Sequence, residues 1–140
     1  MVEKFIQKPH HVAISVPNLE SSVLWYRDML GFTEVQRSQI EAIPARIAFM
    51  EYAGFRIELF EVKGSQPLSE NRRIPNLDPL VQGTKHIALE IKGLPAFLEL
   101  LKKQGVDIAM DFSKIDNVSF AFIRDNSGIL IELIEPLDYS

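Results

Sequence analysis

A chain of 140 residues with 46% hydrophobic and 24% charged residues has the composition of one compact globular domain and excludes a disordered one. Its net charge of −4 disfavours nucleic acid, whose phosphates demand clustered cations, and no apolar run reaches the roughly 18 residues of a membrane span, nor does the N-terminus carry a signal-peptide core. The absence of cysteine rules out disulfides and thiolate metal sites, which suits a cytoplasmic protein whose partner is a small molecule.

Residues 10–16 alternate, with His11, Ala13 and Ser15 on one face and Val12, Ile14 and Val16 on the other. That period is a strand with one side on a core, and it sends His10 to the face opposite His11. Pro17 ends the strand and Asn18 is a good N-cap. Leu19, Val23, Tyr26 and Leu30 then recur at three- and four-residue steps, predicting an amphipathic helix over 19–30 with Gly31 as its stop. At this spacing Trp25 and Tyr26 are helix core rather than a ligand-stacking pair.

Phe32–Ile40 reads as a second strand, and Arg46–Tyr52 with Phe55–Val62 as a hairpin about Ala53-Gly54. On the last of these strands Arg56, Glu58 and Phe60 share a face. Glu58 has apolar neighbours on both sides in sequence, and a carboxylate taken from water is costly unless a metal or another cation compensates it. Residues 63–84 are irregular, with Pro67, Pro75 and Pro79, as in a linker or binding loop. Arg72 and Arg73 at its middle are either an anion site for a substrate carboxylate or phosphate, or a solvated loop.

Lys85–Ile91 is another strand opening on a histidine, followed by a helix over 94–104 with Pro95 in its first turn and Gly105 after it. Val106–Met110, Val118–Arg124 and Ile129–Glu135 are the remaining strands, the last two joined by the turn Asp125-Asn-Ser-Gly128. The order is strand, helix and three strands, twice over. It predicts an α+β fold in a single domain over 1–140, with modules at about 8–64 and 83–137 joined by a loop at about 63–84.

The repetition extends to chemistry. His86-Ile-Ala-Leu-Glu-Ile restates His11-Val-Ala-Ile-Ser-Val, and Leu130-Ile131-Glu132-Leu133 restates Arg56-Ile57-Glu58-Leu59. The interval from His11 to Glu58 matches that from His86 to Glu132 to within one residue. Singly, a strand histidine is more often structural and a glutamate solvated. Duplicated in register, two imidazoles and two carboxylates suit a divalent ion with open positions. A pseudo-twofold axis relating the modules would bring one His and one Glu from each to a common centre. His11 rather than His10 aligns with His86 in that repeat.

These residues resemble the vicinal oxygen chelate superfamily, which includes glyoxalase I, methylmalonyl-CoA epimerase, extradiol dioxygenases, fosfomycin-resistance proteins and bleomycin-binding proteins. The resemblance lies in His11-Val-Ala-Ile-Ser-Val-Pro-Asn-Leu, Trp25-Tyr-Arg-Asp-Met-Leu-Gly-Phe32, Ile57-Glu58-Leu59, Lys85-His86-Ile87-Ala88, and Arg124-Asp-Asn-Ser-Gly128 running to Ile131-Glu132-Leu133. It implies two tandem βαβββ modules forming a curled mixed sheet around a metal cleft, in a homodimer. It further implies one divalent ion (nickel, cobalt, zinc, manganese or iron) on His11, Glu58, His86 and Glu132.

The activity implied is that of a metal-dependent isomerase, epimerase or lyase, moving a proton α to a carbonyl through a metal-stabilised enediolate. Glu132 or Glu58 is the implied base. Epimerase-like members use a further glutamate ahead of the second-ligand strand, and Glu41 stands there. The alternatives are an iron(II)-dependent dioxygenase, which uses two histidines and one carboxylate, and a non-catalytic drug- or ligand-binding resistance protein. Four matched positions favour the isomerase branch. Ser15 and Val62 stand where bacterial-type glyoxalase I has arginine and asparagine for glutathione, so glutathione is not implied.

Overall fold

The alternation and the caps build the same unit twice. The computed structural model describes residues 1–136, and the chain clusters into two compact units, Met1–Ser65 and Gln66–Ser140. The first contains β1 (Val12–Ser15), α1 (Leu19–Leu30), β2 (Thr33–Ile40), β3 (Ala45–Tyr52) and β4 (Phe55–Val62). Its sheet runs β1-β4-β3-β2, with β1 parallel to β4 and the other neighbours antiparallel. The second contains β5 (Ile87–Glu90), α2 (Leu94–Lys103), β6 (Asp107–Ile115), β7 (Val118–Arg124) and β8 (Leu130–Pro136) in the equivalent order β5-β8-β7-β6. Each unit is a βαβββ module, and the fold is α+β.

Local chemistry accounts for the element ends. Asn18 is extended and accepts from the Ser21 N–H at 2.9 Å, supplying the cap of α1. Gly31 ends that helix at φ 76°, a left-handed conformation that glycine adopts without a Cβ clash. Leu19, Ser22, Val23 and Tyr26 are the buried face of α1, which packs on β3 and β4. In α2 the buried face is Leu94, Leu98 and Leu101, each at 2% exposure or less. Burying such a leucine contributes about 1.5–3 kcal/mol.

The β3–β4 turn has positive φ at Ala53 and Gly54, 49° and 82°, as a tight two-residue hairpin requires. β6 runs on past the expected Met110 to Ile115. Register shifts on both sides of Met110 break the alternation by which a strand is read from sequence.

A second pair of glutamates closes the helix starts. The Leu19 N–H donates to Glu61 Oε2 at 2.7 Å, while Gly93 and Leu94 donate to the two oxygens of Glu135 at 2.5 and 3.0 Å. Gly93 has no side chain with which to cap, so Glu135 does this from β8. The repeated segment is therefore Glu-Leu-x-Glu, at 58–61 and 132–135. Three residues apart on a strand, its glutamates face opposite sides of the sheet, one toward the helix and one away.

The segment before β5 holds two short 3₁₀ helices, Glu70–Arg73 and Asp78–Leu80, tied to a buried carboxylate. Asp78 is 1% exposed and meets Arg72 Nε at 3.1 Å and Lys85 Nζ at 3.3 Å. Residue 137, the expected end of the second module, lies outside the described residues. Among those residues no helix is long and apolar enough to cross a membrane.

Candidate metal centre

Sheet register sets one histidine beside one glutamate in each unit. In the first, Ala13, Glu58, Phe49 and Gln36 lie side by side across the four strands. His11 precedes β1 on the Ala13 side, and its Nε2 stands 3.4 Å from Glu58 Oε1. In the second, Ala88, Glu132, Phe122 and Met110 form the corresponding row. His86 Nε2 stands 3.6 Å from Glu132 Oε1. The two imidazoles are equally exposed, at 31% each, with Glu58 at 13% and Glu132 at 21%.

An aromatic ring backs each imidazole. Phe49 meets His11 edge to face with centroids 5.1 Å apart and planes at 88°, and Phe122 meets His86 at 5.0 Å and 88°. Each phenylalanine sits on the strand beside its glutamate, so one residue row carries the carboxylate and the ring that orients the histidine.

The donor set fits a first-row divalent ion. With metal–nitrogen and metal–oxygen bonds near 2.0–2.2 Å, two donors on one ion are separated by about 2.9 Å at a right angle and about 3.4 Å at a tetrahedral one. The observed separation of 3.4 Å meets the wide end of that scale and that of 3.6 Å lies just beyond it. Among the described residues, histidine is the only ion-pair partner of either carboxylate; Arg56, on the Glu58 face, turns to Glu51 at 3.5 Å. Among the described residues no three or more His, Asp or Glu side chains are gathered into a metal-ion group; each unit holds one histidine–glutamate pair.

The other sequence candidates stand elsewhere. Glu41 is exposed in the turn between β2 and β3, where it lines an open recess with Gln39, Pro44 and Arg46. At about 3.3 Å per residue it is roughly 16 Å further along than Gln36, the residue level with Glu58. Arg72 directs its guanidinium to Asp78 and to the Thr84 carbonyl, so what it holds is its own loop. The half-buried guanidinium of Arg73 lies against Gly128, so close that a Cβ there would fall 2.9 Å from Arg73 Cζ. Tyr26 is fully buried, as its place on the helix predicts, whereas Trp25 is only half-buried and stands outside the helix core.

One expectation is overturned. His10 does not face away from His11: their Nδ1 atoms are 2.7 Å apart, and its ring also approaches Phe49, at 6.3 Å. The pleat begins only at Val12, so strand alternation does not govern residues 10 and 11.

Sequence reasoning missed Phe49, Phe122, Glu61, Glu135 and Asp78. The first four repeat at nearly the interval of the two histidines and of Glu58 and Glu132, and were detectable by the same alignment of the chain on itself.

A sequence profile of the glyoxalase/bleomycin resistance protein/dioxygenase superfamily matches residues 8–133. Among curated proteins, the chain is 29% identical over 136 residues to the mitochondrial methylmalonyl-CoA epimerase of Mus musculus, covering 89% of this chain and 70% of that one. It is 28% identical over 131 residues to the uncharacterised protein YqjC of Bacillus subtilis (strain 168), covering 90% of each. A glyoxalase family protein from Enterococcus faecalis superposes with a TM-score of 0.78 at 20% identity, covering 94% of this chain and 99% of that one. The trypanothione-dependent glyoxalase I of Leishmania major does so with a TM-score of 0.72 at 20% identity, covering 93% and 87%. The chain belongs to the glyoxalase/bleomycin resistance protein/dioxygenase superfamily.

Proposed function

We propose that the chain is a divalent-metal-dependent isomerase or epimerase that moves a proton on a carbon next to a carbonyl. The observation that carries the reading is the duplicated pair: a histidine nitrogen and a glutamate oxygen at coordination spacing in each unit, each histidine backed by a phenylalanine. His11, Glu58, His86 and Glu132 are assigned to one ion. The similarity to methylmalonyl-CoA epimerase favours proton transfer over oxygen chemistry among the activities of this superfamily.

A bound divalent ion would polarise the substrate carbonyl and stabilise the negative charge that develops when the α-proton leaves. The protein's part is to hold the substrate and move the proton. Of the two carboxylates Glu132 is the more exposed and the further from its histidine, so it is assigned as the base. It accepts the α-proton and in an isomerase returns it to the neighbouring carbon; in an epimerase a second carboxyl, assigned to Glu58, gives a proton to the opposite face, and exchange with solvent resets both groups, so no other reactant is consumed. Of the two loop arginines Arg73 is assigned to a substrate carboxylate or phosphate, because Arg72 is committed to Asp78.

The test is solvent-deuterium incorporation at the α-carbon of small acyl thioesters and α-hydroxy carbonyl compounds, with added cobalt(II) or nickel(II). Exchange is expected in the wild type and a loss of at least 100-fold in Glu132→Gln. Undiminished exchange in that variant would reject the assignment, and oxygen uptake dependent on iron(II) would point to a dioxygenase.

A further inference from the structure

We infer that His10 is a positioning residue that fixes the tautomer of His11, so that the nitrogen turned to Glu58 carries a lone pair and not a proton. The ring-to-ring contact stands by itself; the direction of its hydrogen and its use in metal binding rest on the reading proposed above. The Nδ1 atoms of His10 and His11 are 2.7 Å apart. Two neutral rings meeting nitrogen to nitrogen at that distance share one hydrogen, because two would collide and two lone pairs would repel.

The other end of His11 decides which ring supplies the hydrogen. Its Nε2 stands 3.4 Å from Glu58 Oε1, beyond the roughly 2.7–3.2 Å of an N–H···O bond. On the metal reading this nitrogen ligates the ion beside Glu58, which requires a lone pair on Nε2 and leaves the ring hydrogen on Nδ1. Nδ1–H of His11 is therefore the donor and Nδ1 of His10 the acceptor, with the His10 hydrogen on its own Nε2. A metal-ligating histidine commonly donates its other N–H to an outer partner in this way, which fixes the ring and raises its basicity.

Phe49 touches both imidazoles, at 5.1 and 6.3 Å, and restricts their rotation. The second unit has no equivalent. Lys85 occupies the place before His86, and its ammonium is bonded to Asp78 and to the Val81 carbonyl. The inference accordingly distinguishes two histidines that the repeat makes look alike.

Long-range ¹⁵N–¹H correlation spectra of the metal-free protein, recorded above the imidazole range, test it directly. The chain has three histidines, so single variants assign every ring. His11 is expected with a protonated Nδ1 and a pyridine-type Nε2, and His10 with the reverse. In His10→Ala, an exposed position whose loss spares the fold, His11 should shift toward the Nε2–H form while His86 is unmoved. Cobalt(II) affinity should fall about 10–100-fold in His10→Ala and recover in His10→Asn, whose amide oxygen can accept the same hydrogen.

A wild-type His11 protonated at Nε2, or a His11 spectrum indifferent to His10→Ala, would overturn the inference. Cobalt(II) affinity unchanged in His10→Ala despite a shifted tautomer would overturn its role in metal binding. A wild type with the expected tautomer that binds no cobalt(II) would uphold the hydrogen bond and reject the metal reading.

Discussion

The ring of Phe122 stands at 88° to the imidazole of His86, with centroids 5.0 Å apart, and it sits across the β7–β8 ladder from Glu132. Phe49 repeats this against His11 beside Glu58. Such pairs contribute about 0.5–1.5 kcal/mol beyond the area they bury. Phe49→Leu and Phe122→Leu should each weaken cobalt(II) binding about three- to tenfold through a freer imidazole. Isothermal titration of each variant measures this, and affinity unchanged in either would contradict the part given to its ring.

Glu135 should make stability depend on acid. The Leu94 and Gly93 N–H groups bond its charged form and hold its pKa below the ordinary glutamate value of 4.5. A carboxyl depressed in the folded state stabilises at pH above its unfolded value, and that contribution is lost as the pH falls through the folded one. Wild type should therefore exceed Glu135→Gln in stability at neutral pH, and the two should converge on acidification below 4.5. Urea unfolding of both proteins across that range shows it; a gap that persists in acid would contradict the cap.

Asp78 should be a stability residue with consequences at His86. It is buried against Arg72 and Lys85, and Lys85 adjoins His86. Removing one partner of a buried ion pair costs roughly 3–5 kcal/mol, and the partial exposure of both cations places Asp78→Ala near 3 kcal/mol. Denaturant unfolding gives the number. Arg72→Ala should also lower stability while leaving substrate KM within about twofold, since its donors face inward.

Gly128 should tolerate no side chain without strain. Its φ is +88°, and a Cβ would displace the guanidinium of Arg73. The flexible arginine can swing aside, so Gly128→Ala should cost the left-handed penalty of about 1–2 kcal/mol. If Arg73 grips a substrate anion, KM should rise in the same variant.

Much of this was legible from period and punctuation. Asn18 and Gly31 bracket α1 where a cap and a stop belong, and the β3–β4 hairpin turns on Ala53-Gly54 as its sequence predicts. That each module carries one histidine and one glutamate at matched positions was also legible, because the repeat carries both. What pattern could not reach was how neighbours across strands meet. Phe49 lies beside Glu58 only through β3–β4 register, and Glu61 reaches Leu19 from the far end of the module. His10 escaped because alternation was extended past the start of β1. The length of β6 escaped because its shifts in register hide the period of two.

The central claim is that His11, Glu58, His86 and Glu132 hold one divalent ion. Its most direct test is the metal content of untagged protein purified without chelator, beside His11→Ala and His86→Ala. The account predicts about one equivalent of a first-row transition metal in the wild type and its loss in both variants, since the proposed ion needs both histidine–glutamate pairs. No uptake by the wild type after incubation with divalent ions, or full retention in either variant, would contradict it.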